Sequence, residues 1–411
     1  MRSGTLPPPA LDRQTAEPHP RGFGLYVHWP FCASKCPYCD FNSHVRDSIE
    51  EGRWRAALVA SVEGAAAESG TGPLTSVFFG GGTPSRMSPE TVAAVLATAA
   101  RAFGFAPGVE ITLEANPNSA EAENFRAFRA AGVNRLSLGI QALDDAALAF
   151  LGRIHSRAEA LVALKAAQAV FDRTSFDLIY ARPGQAPDSW RRELALALDL
   201  ARGGHLSLYQ LNLEPGTRFH EAHRRGDLVL PDDETSARLF EQAHDQCAEA
   251  GFDAYEISNF ARPEEASRHN LTYWRYGGYA GVGPGAHGRL HHRGSVTATA
   301  EIRSPERWLS QIESAGHGRA EKSTLAARDI AEEMLLMGLR LSAGVRAADF
   351  EDVTGIALAR ALDPDTVATL RAGGMIAVDA EGLRATPAGA LVLNRVIAEL
   401  AETVRVSAAL S

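Results

Sequence analysis

The stretch LYVHWPFCASKCPYCDFNSH, Leu25–His44, carries three of the chain's four cysteines, Cys32, Cys36 and Cys39, within eight residues. It opens as a strand. GLYVHW (24–29) is an apolar and aromatic run that Pro30 ends, because proline cannot donate to a sheet ladder. The thiols then follow at C-x3-C-x2-C, a spacing that lets successive thiolates converge on one metal centre. Two centres fit. One is structural zinc, with His28 or His44 as fourth ligand of a closed tetrahedral shell. The other is a cubane iron–sulfur cluster, in which three cysteines leave one iron without a protein ligand and open to chemistry.

The composition around this loop narrows the choices. A chain of 411 residues suggests one large domain with a smaller one attached. A net charge of -9 argues against a nucleic-acid binder, which needs clustered Lys and Arg against phosphate. Residues 1–22 are rich in Pro and polar side chains and lack an apolar signal core, so they read as a disordered leader. No later window approaches the roughly 18 consecutive apolar residues of a spanning helix. A cytoplasmic location follows as the expectation, with peripheral membrane contact left open. In that reducing compartment clustered thiols bind metal more readily than they form disulfides.

From residue 23 to about 260 strand-like and helical runs alternate. The strands are GLYVHW (24–29), SVFFG (76–80), EITLEAN (110–116), NRLSLGI (134–140), SFDLIY (175–180) and HLSLYQL (205–211). Helical stretches over 54–67, 89–101, 120–131, 157–170, 189–201 and 236–250 come between and after them. Six such repeats predict an α/β fold with a parallel sheet, open or curled into a barrel. Polar residues gather toward the strand ends: the cysteine loop, GGGTPS (80–85), Glu114 and Asn116, Gln141, Asp177, and Tyr209 with Gln210. That is the face on which parallel sheets build their sites.

Residues 261–323 form a connecting segment, and 256–288, dense in Gly, Arg and aromatics, reads as substrate-facing or barrel-closing. RLHHRG (289–294) reads as a solvated loop, and Cys247, on a helix, as a buried free thiol. From 324 to 411 the order helix, strand, turn at Glu381-Gly382, strand, helix resembles a winged helix. Acidic residues outnumber Arg there and no Lys follows Lys322, so a structural or partner-docking role is favoured over DNA contact.

The cysteine motif after a first strand, followed by GGGTPS, resembles the radical S-adenosylmethionine (SAM) superfamily. The resemblance runs from about Phe23 to the C-terminus and implies a partial (β/α)6 TIM-like barrel with a winged-helix-like domain. It also implies a [4Fe–4S] cluster on Cys32, Cys36 and Cys39, whose open iron chelates SAM, and reductive cleavage of SAM to a 5′-deoxyadenosyl radical. By the same resemblance Tyr26, Gly81, Gly82, Thr83, Glu114, Gln141, Arg153 and Asp177 contact SAM or lie close to it. Of these, the glycine amides are expected to bind its carboxylate, Glu114 its cationic end and Asp177 its ribose.

LYVHWPFCASKCPYCDFNSH, FFGGGTPS, LSLGIQAL, FDLIYARPGQ, EISNFARP and HNLTYW together are similar to the oxygen-independent coproporphyrinogen III oxidases and the related haem chaperones. The oxidase pattern carries one more cysteine, C-x3-C-x2-C-x-C, where this chain has Phe41. HNLTYW (269–274) is similar to the H-N-x-x-Y-W motif of the chaperone branch. That resemblance makes His269 a candidate haem ligand, with Tyr273 and Trp274 against the porphyrin face and Arg262, Arg268 and Arg275 on the propionates. It implies a protein that takes haem as cargo and delivers it to haem-accepting proteins, as a monomer or a homodimer. The alternative is an oxidase performing radical decarboxylation, made doubtful by Phe41.

Overall fold

The computed structural model describes residues 21–406 except 71 and 293, so the 1–22 leader lies almost wholly outside the described residues. Six parallel strands wrap around a common lumen: β1 (Phe23–Trp29), β2 (Leu74–Gly81), β3 (Phe105–Ala115), β4 (Arg135–Gln141), β5 (Arg173–Tyr180) and β6 (His205–Gln210). Helices α1 (Glu51–Ser69), α2 (Pro89–Ala102), α3 (Phe125–Ala131), α4 (Arg157–Gln168) and α5 (Pro187–Leu200) cross between them, and α6 (Asp233–Glu249) follows β6. Their starts are legible as caps. The Ser88 side chain accepts the Thr91 amide, Ser156 and Glu159 form a capping box, and Asp232 accepts the Thr235 amide. The stretch expected as one helix over 120–131 breaks instead into 119–122 and 125–131. The Glu121 carboxylate there is drawn away to the Asn116 amide and the Asn118 side chain.

The alternation along each strand separates two environments. Leu25, Val27 and Trp29, with Val77, Phe79, Ile111, Leu113, Leu136, Leu138, Phe176 and Leu178, belong to the large core shared with the helices. The intervening positions face the lumen, and most are polar: Ser76, Glu110, Thr112, Arg135, Ser137, Ser175, His205 and Ser207 are all buried. At roughly 25 cal/mol per Å2, burial of the apolar face drives the wrapping. The polar face is tolerated because its groups pair across strands, as in Arg135 to Ser175 (2.9 Å) and Ser137 with Ser175 (2.8 Å).

The sheet does not close. β7 (Asp253–Glu256) and β8 (Asn259–Ala261) add antiparallel strands beyond β6. A helix, α7 (Arg268–Trp274), then leads to β9 (Gly278–Val282), which pairs parallel to β1 as a seventh parallel strand. β10 (His287–His292), β11 (Ser295–Glu301) and, after α8 (Pro305–Ala315), β12 (Arg319–Thr324) extend that edge. The expected loop at 289–294 is therefore largely strand, since residues 287–292 find a full partner in 295–300. Segment 256–288 spans both ends of the barrel: residues 268–274 plug the end opposite the cysteines, and after β9 the chain returns to the cysteine loop, where the Asn42 side chain donates to the Pro284 carbonyl (2.9 Å).

The C-terminal unit opens with α9 (Ala327–Gly338) and contains the small antiparallel sheet of β13 (Val345–Arg346), β14 (Ile376–Val378) and β15 (Gly382–Ala385), with α10 (Leu393–Glu402) behind it. This is the expected winged-helix order, with its own apolar cluster. Glu333 ties it to the barrel by accepting from the Tyr276 hydroxyl (2.6 Å) and from Arg289 (2.7 Å). Among the described residues no helix is long and apolar enough to cross a membrane.

Candidate functional site

A cavity of about 410 Å3 opens at the C-terminal ends of β1–β6. Cys32, Cys36, Cys39, Gly81, Gly82, Thr83, Glu114, Gln141, Arg153 and Asp177 all line it, so residues 32 to 177 of the chain meet there. Tyr26 does not. It lies one layer deeper in the lumen, its hydroxyl 3.0 Å from His28 Nδ1 and its ring stacked on Phe78.

The cysteine loop is held at its base by pairing of Phe31 and Cys32 with His44 and Val45. Cys32 Sγ accepts from the Thr83 hydroxyl (3.5 Å), Cys36 Sγ from Arg153 Nη1 (3.4 Å), and Cys39 Sγ lies 3.8 Å from the Ser43 hydroxyl. Burial pushes the Cys32 and Cys39 thiols up, and neighbouring sulfur charge adds to this, so metal binding must displace protons. Donors aimed at sulfur suit thiolate ligands.

The zinc alternative does not fit the same geometry. His28 has no nitrogen to give: Nε2 donates to the Asn42 carbonyl (3.0 Å), which leaves Nδ1 accepting from Tyr26. His44 Nε2 is 3.2 Å from Asn42 Oδ1. Three half-exposed thiols on one loop, beside a cavity with room for a small molecule, fit a larger cluster with an open position.

A chain of hydrogen bonds joins two of the thiols through residues of the segments that follow β2, β3 and β4. Arg153 Nη2 donates to Asn116 Oδ1 (2.6 Å) and to the Gly139 carbonyl (2.9 Å), and Asn116 Nδ2 donates to Thr83 Oγ1 (3.1 Å), which in turn reaches Cys32. The Arg153 Nε is buried without a partner, an unmet donor beside the cavity. Asn116 was legible as a strand-end residue but not as the link between Arg153 and Thr83.

The glycines serve differently from expectation. A Cβ on Gly81 would fall 2.6 Å from the His28 ring, and one on Gly82 2.8 Å from the Pro30 backbone. Protein atoms therefore fill the space. The amides are engaged as well: Gly81 donates to Glu114, Gly82 to the Trp29 carbonyl (2.7 Å) and Thr83 to the Phe31 carbonyl (2.9 Å). These three amides cannot bind a ligand carboxylate as they stand. Their role is to bring the β2 turn against the cysteine loop.

Glu114 and Asp177 face each other across the lumen at the cavity floor. Burial, then the Asp177 charge, pushes the Glu114 carboxyl up to about 8. Burial pushes Asp177 up to about 6, against the Ser207 hydroxyl and the charges of Arg135 and Arg153. Two buried acids that share about one proton near neutral pH are poised for a cation. Gln141 and Ala181, at the ends of β4 and β5, adopt left-handed φ of 73° and 57°, which is backbone strain concentrated at the site.

His269 sits elsewhere. It is buried in the barrel floor at the N-terminal ends of β1 and β2, with Nδ1 2.8 Å from the Ser76 hydroxyl and Nε2 2.8 Å from the Tyr273 hydroxyl. Its ring stacks on Phe78 at 5.0 Å, and burial lowers its pKa to about 3. Neither nitrogen is offered to an iron in this conformation. The Glu110 carboxylate anchors this helix by accepting from the amides of Arg268 and His269 (3.2 Å each) and from Ser267 (3.3 Å). Burial opposes its ionisation, but Arg135, Arg173 and those amides hold it below the usual carboxylate range. Arg268 is turned to the Gly108 carbonyl and Arg262 lies over the Phe252 ring, so neither joins a propionate site around Tyr273. HNLTYW is the barrel's plug. His269→Ala is expected to cost about 3 kcal/mol by leaving two buried hydroxyls unpaired and a void, read as a lower denaturant midpoint at unchanged slope.

Cys247 is buried in the core on α6, its thiol pushed up to about 12, and is chemically quiet. Phe41 is not core: it stands 59% exposed on the rim of the cavity.

Comparison with known proteins agrees with this geometry. Residues 26–197 match the family model of the radical SAM superfamily, and residues 325–392 match that of the HemN C-terminal domain. The chain is 40% identical to the mitochondrial radical S-adenosyl methionine domain-containing protein 1 of Bos taurus, over 94% of this chain and 89% of that protein. It is 36% identical to the heme chaperone HemW of Haemophilus influenzae, over 91% of this chain and 96% of that protein. The fold is similar to that of coproporphyrinogen III oxidase (HemN) from Escherichia coli, with a TM-score of 0.76 at 20% identity, over 92% of this chain and 90% of that one. With the cysteine loop, the six-strand lumen and these matches in agreement, the chain belongs to the radical SAM superfamily, and within it to the coproporphyrinogen oxidase-like family in its haem-chaperone branch.

Proposed function

We propose that this protein binds haem and delivers it to haem-requiring proteins, while carrying a [4Fe–4S] cluster on Cys32, Cys36 and Cys39 and SAM against the facing wall. The observation that carries the reading is Phe41. Where the related oxidases place a further thiol, this chain places an exposed phenyl ring on the cavity rim, and relatives named heme chaperone match it over most of its length. Such a ring cannot ligate a metal or move a proton, but it can hold an apolar surface.

In this reading Glu114 and Asp177 take the cationic end and the ribose of SAM, and Arg153 its carboxylate through the unmet Nε. Gln141 stands beside them and Tyr26 supports the floor from below. Bound to the cluster's open iron, SAM would supply one-electron chemistry. The cavity residues that favour this are all present, which keeps porphyrinogen decarboxylation as the second reading. Free thiols at the cluster loop require a reducing compartment, for which we propose the cytoplasm. Haem-accepting proteins are the proposed partners, with the protein acting as a monomer or a homodimer.

A spectroscopic haem titration of the anaerobically cluster-reconstituted protein tests the proposal. Saturable uptake near one haem per chain, without decarboxylation of coproporphyrinogen III, is the expected result. Absence of saturable uptake together with measurable decarboxylation would replace the chaperone reading by the oxidase one.

A further inference from the structure

Large apolar side chains exposed singly are ordinary on a protein surface, but several around one cavity mouth mark a ligand site. Here Phe41 (59% exposed) rises from the cysteine loop, Ile154 (67%) from the loop after α-helical residues 145–150, and Tyr209 (42%) from the end of β6, and all three line the same cavity. None is needed for the fold: neither Phe41 nor Ile154 belongs to an apolar core cluster.

Cations flank the Phe41 side of this rim. The exposed Lys35 ammonium donates to the Phe41 carbonyl (3.2 Å) and the Ser43 carbonyl (3.1 Å), and Arg218 donates to the Lys35 carbonyl (3.1 Å). Those bonds go to neutral carbonyls, and among the described residues no carboxylate pairs with either cation. The acids of the rim are Asp40 and Glu214, the latter held by Asn212. A surface that is apolar over its middle and cationic at one edge complements a flat apolar ligand carrying carboxylates along one side.

We propose that haem docks across the mouth of this cavity, one face against Phe41 and Ile154 and its propionates toward Lys35 and Arg218, and not in the barrel floor at His269. The inference rests on the haem-binding reading above and adds the place. It also gives a reason for phenylalanine at position 41. A thiol there would be a ligand for haem iron and would hold cargo that must be released, whereas a ring face binds by area alone. Docking at the mouth leaves the outer face of the macrocycle open to an acceptor.

The test is a haem titration of the full-length, cluster-loaded protein beside a Phe41→Ser/Ile154→Ser double variant and a Phe41→Trp variant, with iron content, thermal midpoint and sedimentation recorded for each. Because the two side chains are exposed, iron content and midpoint are expected to stay at the wild-type values. The double variant is expected to bind haem at least tenfold more weakly, and the Trp variant to bind as well as wild type. Wild-type affinity in the double variant would overturn the site. Loss of self-association at unchanged haem affinity would also overturn it, by making the rim an interface between two copies. Failure of the wild type itself to take up haem would sink the functional reading, and the site with it.

Discussion

Replacing Cys36 by serine is expected to abolish iron–sulfur loading. Three thiolates serve a four-iron cluster with one iron open, so losing one leaves two irons without a protein ligand. The reconstituted variant should contain little iron or acid-labile sulfide, lose the cluster's visible absorbance, and bind SAM weakly because nothing remains to chelate it. The fold should survive. Cys36 is half-buried on a loop outside every apolar cluster, and substitutions of that kind usually change stability by ~0.5 kcal/mol. Cys247→Ser is the internal control: it touches the core but lies on α6, away from the cavity, and should load iron normally. Equal iron in the Cys36→Ser variant and the wild type would remove Cys36 from the ligand set.

The second large effect concerns Glu114. With its carboxyl pushed up to about 8 and Asp177 to about 6, the pair holds about one proton in neutral solution, chiefly on Glu114, and the apparent values belong to the pair. A cationic ligand draws the carboxyl into ionisation. SAM affinity of the cluster-loaded protein should therefore rise with pH between about 6 and 8, and binding at pH 7 should release a proton, seen as a buffer-dependent binding enthalpy. Glu114→Gln should weaken SAM about 100-fold, in line with the ~3 kcal/mol of a lost charged hydrogen bond, and abolish the proton release.

The same substitution should have the opposite effect on stability. The folded value lies above the ordinary value of 4.5, so the fold favours the neutral acid. Ligand-free wild type then loses stability as pH rises from about 4.5 to about 8, and the loss is complete above that window. A shift of one pKa unit is worth about 1.4 kcal/mol, and the open cavity screens part of it, so the variant should be more stable by ~2 kcal/mol at pH 8.5 and equal to wild type near pH 4. A pH-independent SAM affinity, or a stability difference that does not grow with pH, would contradict a protonated Glu114.

Much of this was legible along the chain. Strand and helix periods are local properties, 2 against 3.6, and the six strands and five of the six helices fell within a few residues of the expected positions, the remaining one, over 120–131, being broken in two. The cysteine spacing and the polar strand ends located the mouth because parallel sheets present those ends together. Asn116 as a link, and the strain at Ala181, left no such mark, because neither a hydrogen-bond partner 37 residues away nor a left-handed φ has a periodic signature.

The sequence by itself determined the alternation of strands and helices, the cysteine loop and the polar strand ends that line the cavity, since each follows from local period and side-chain chemistry at fixed spacing. Tertiary structure alone decided what those residues can still bind. Packing filled the space above Gly81 with the His28 ring, engaged both nitrogens of His269 in the barrel floor, and left Phe41 bare on the rim. A motif names the donors present. Only the folded neighbours, which compete for the same lone pairs and the same volume, determine which of them remain free.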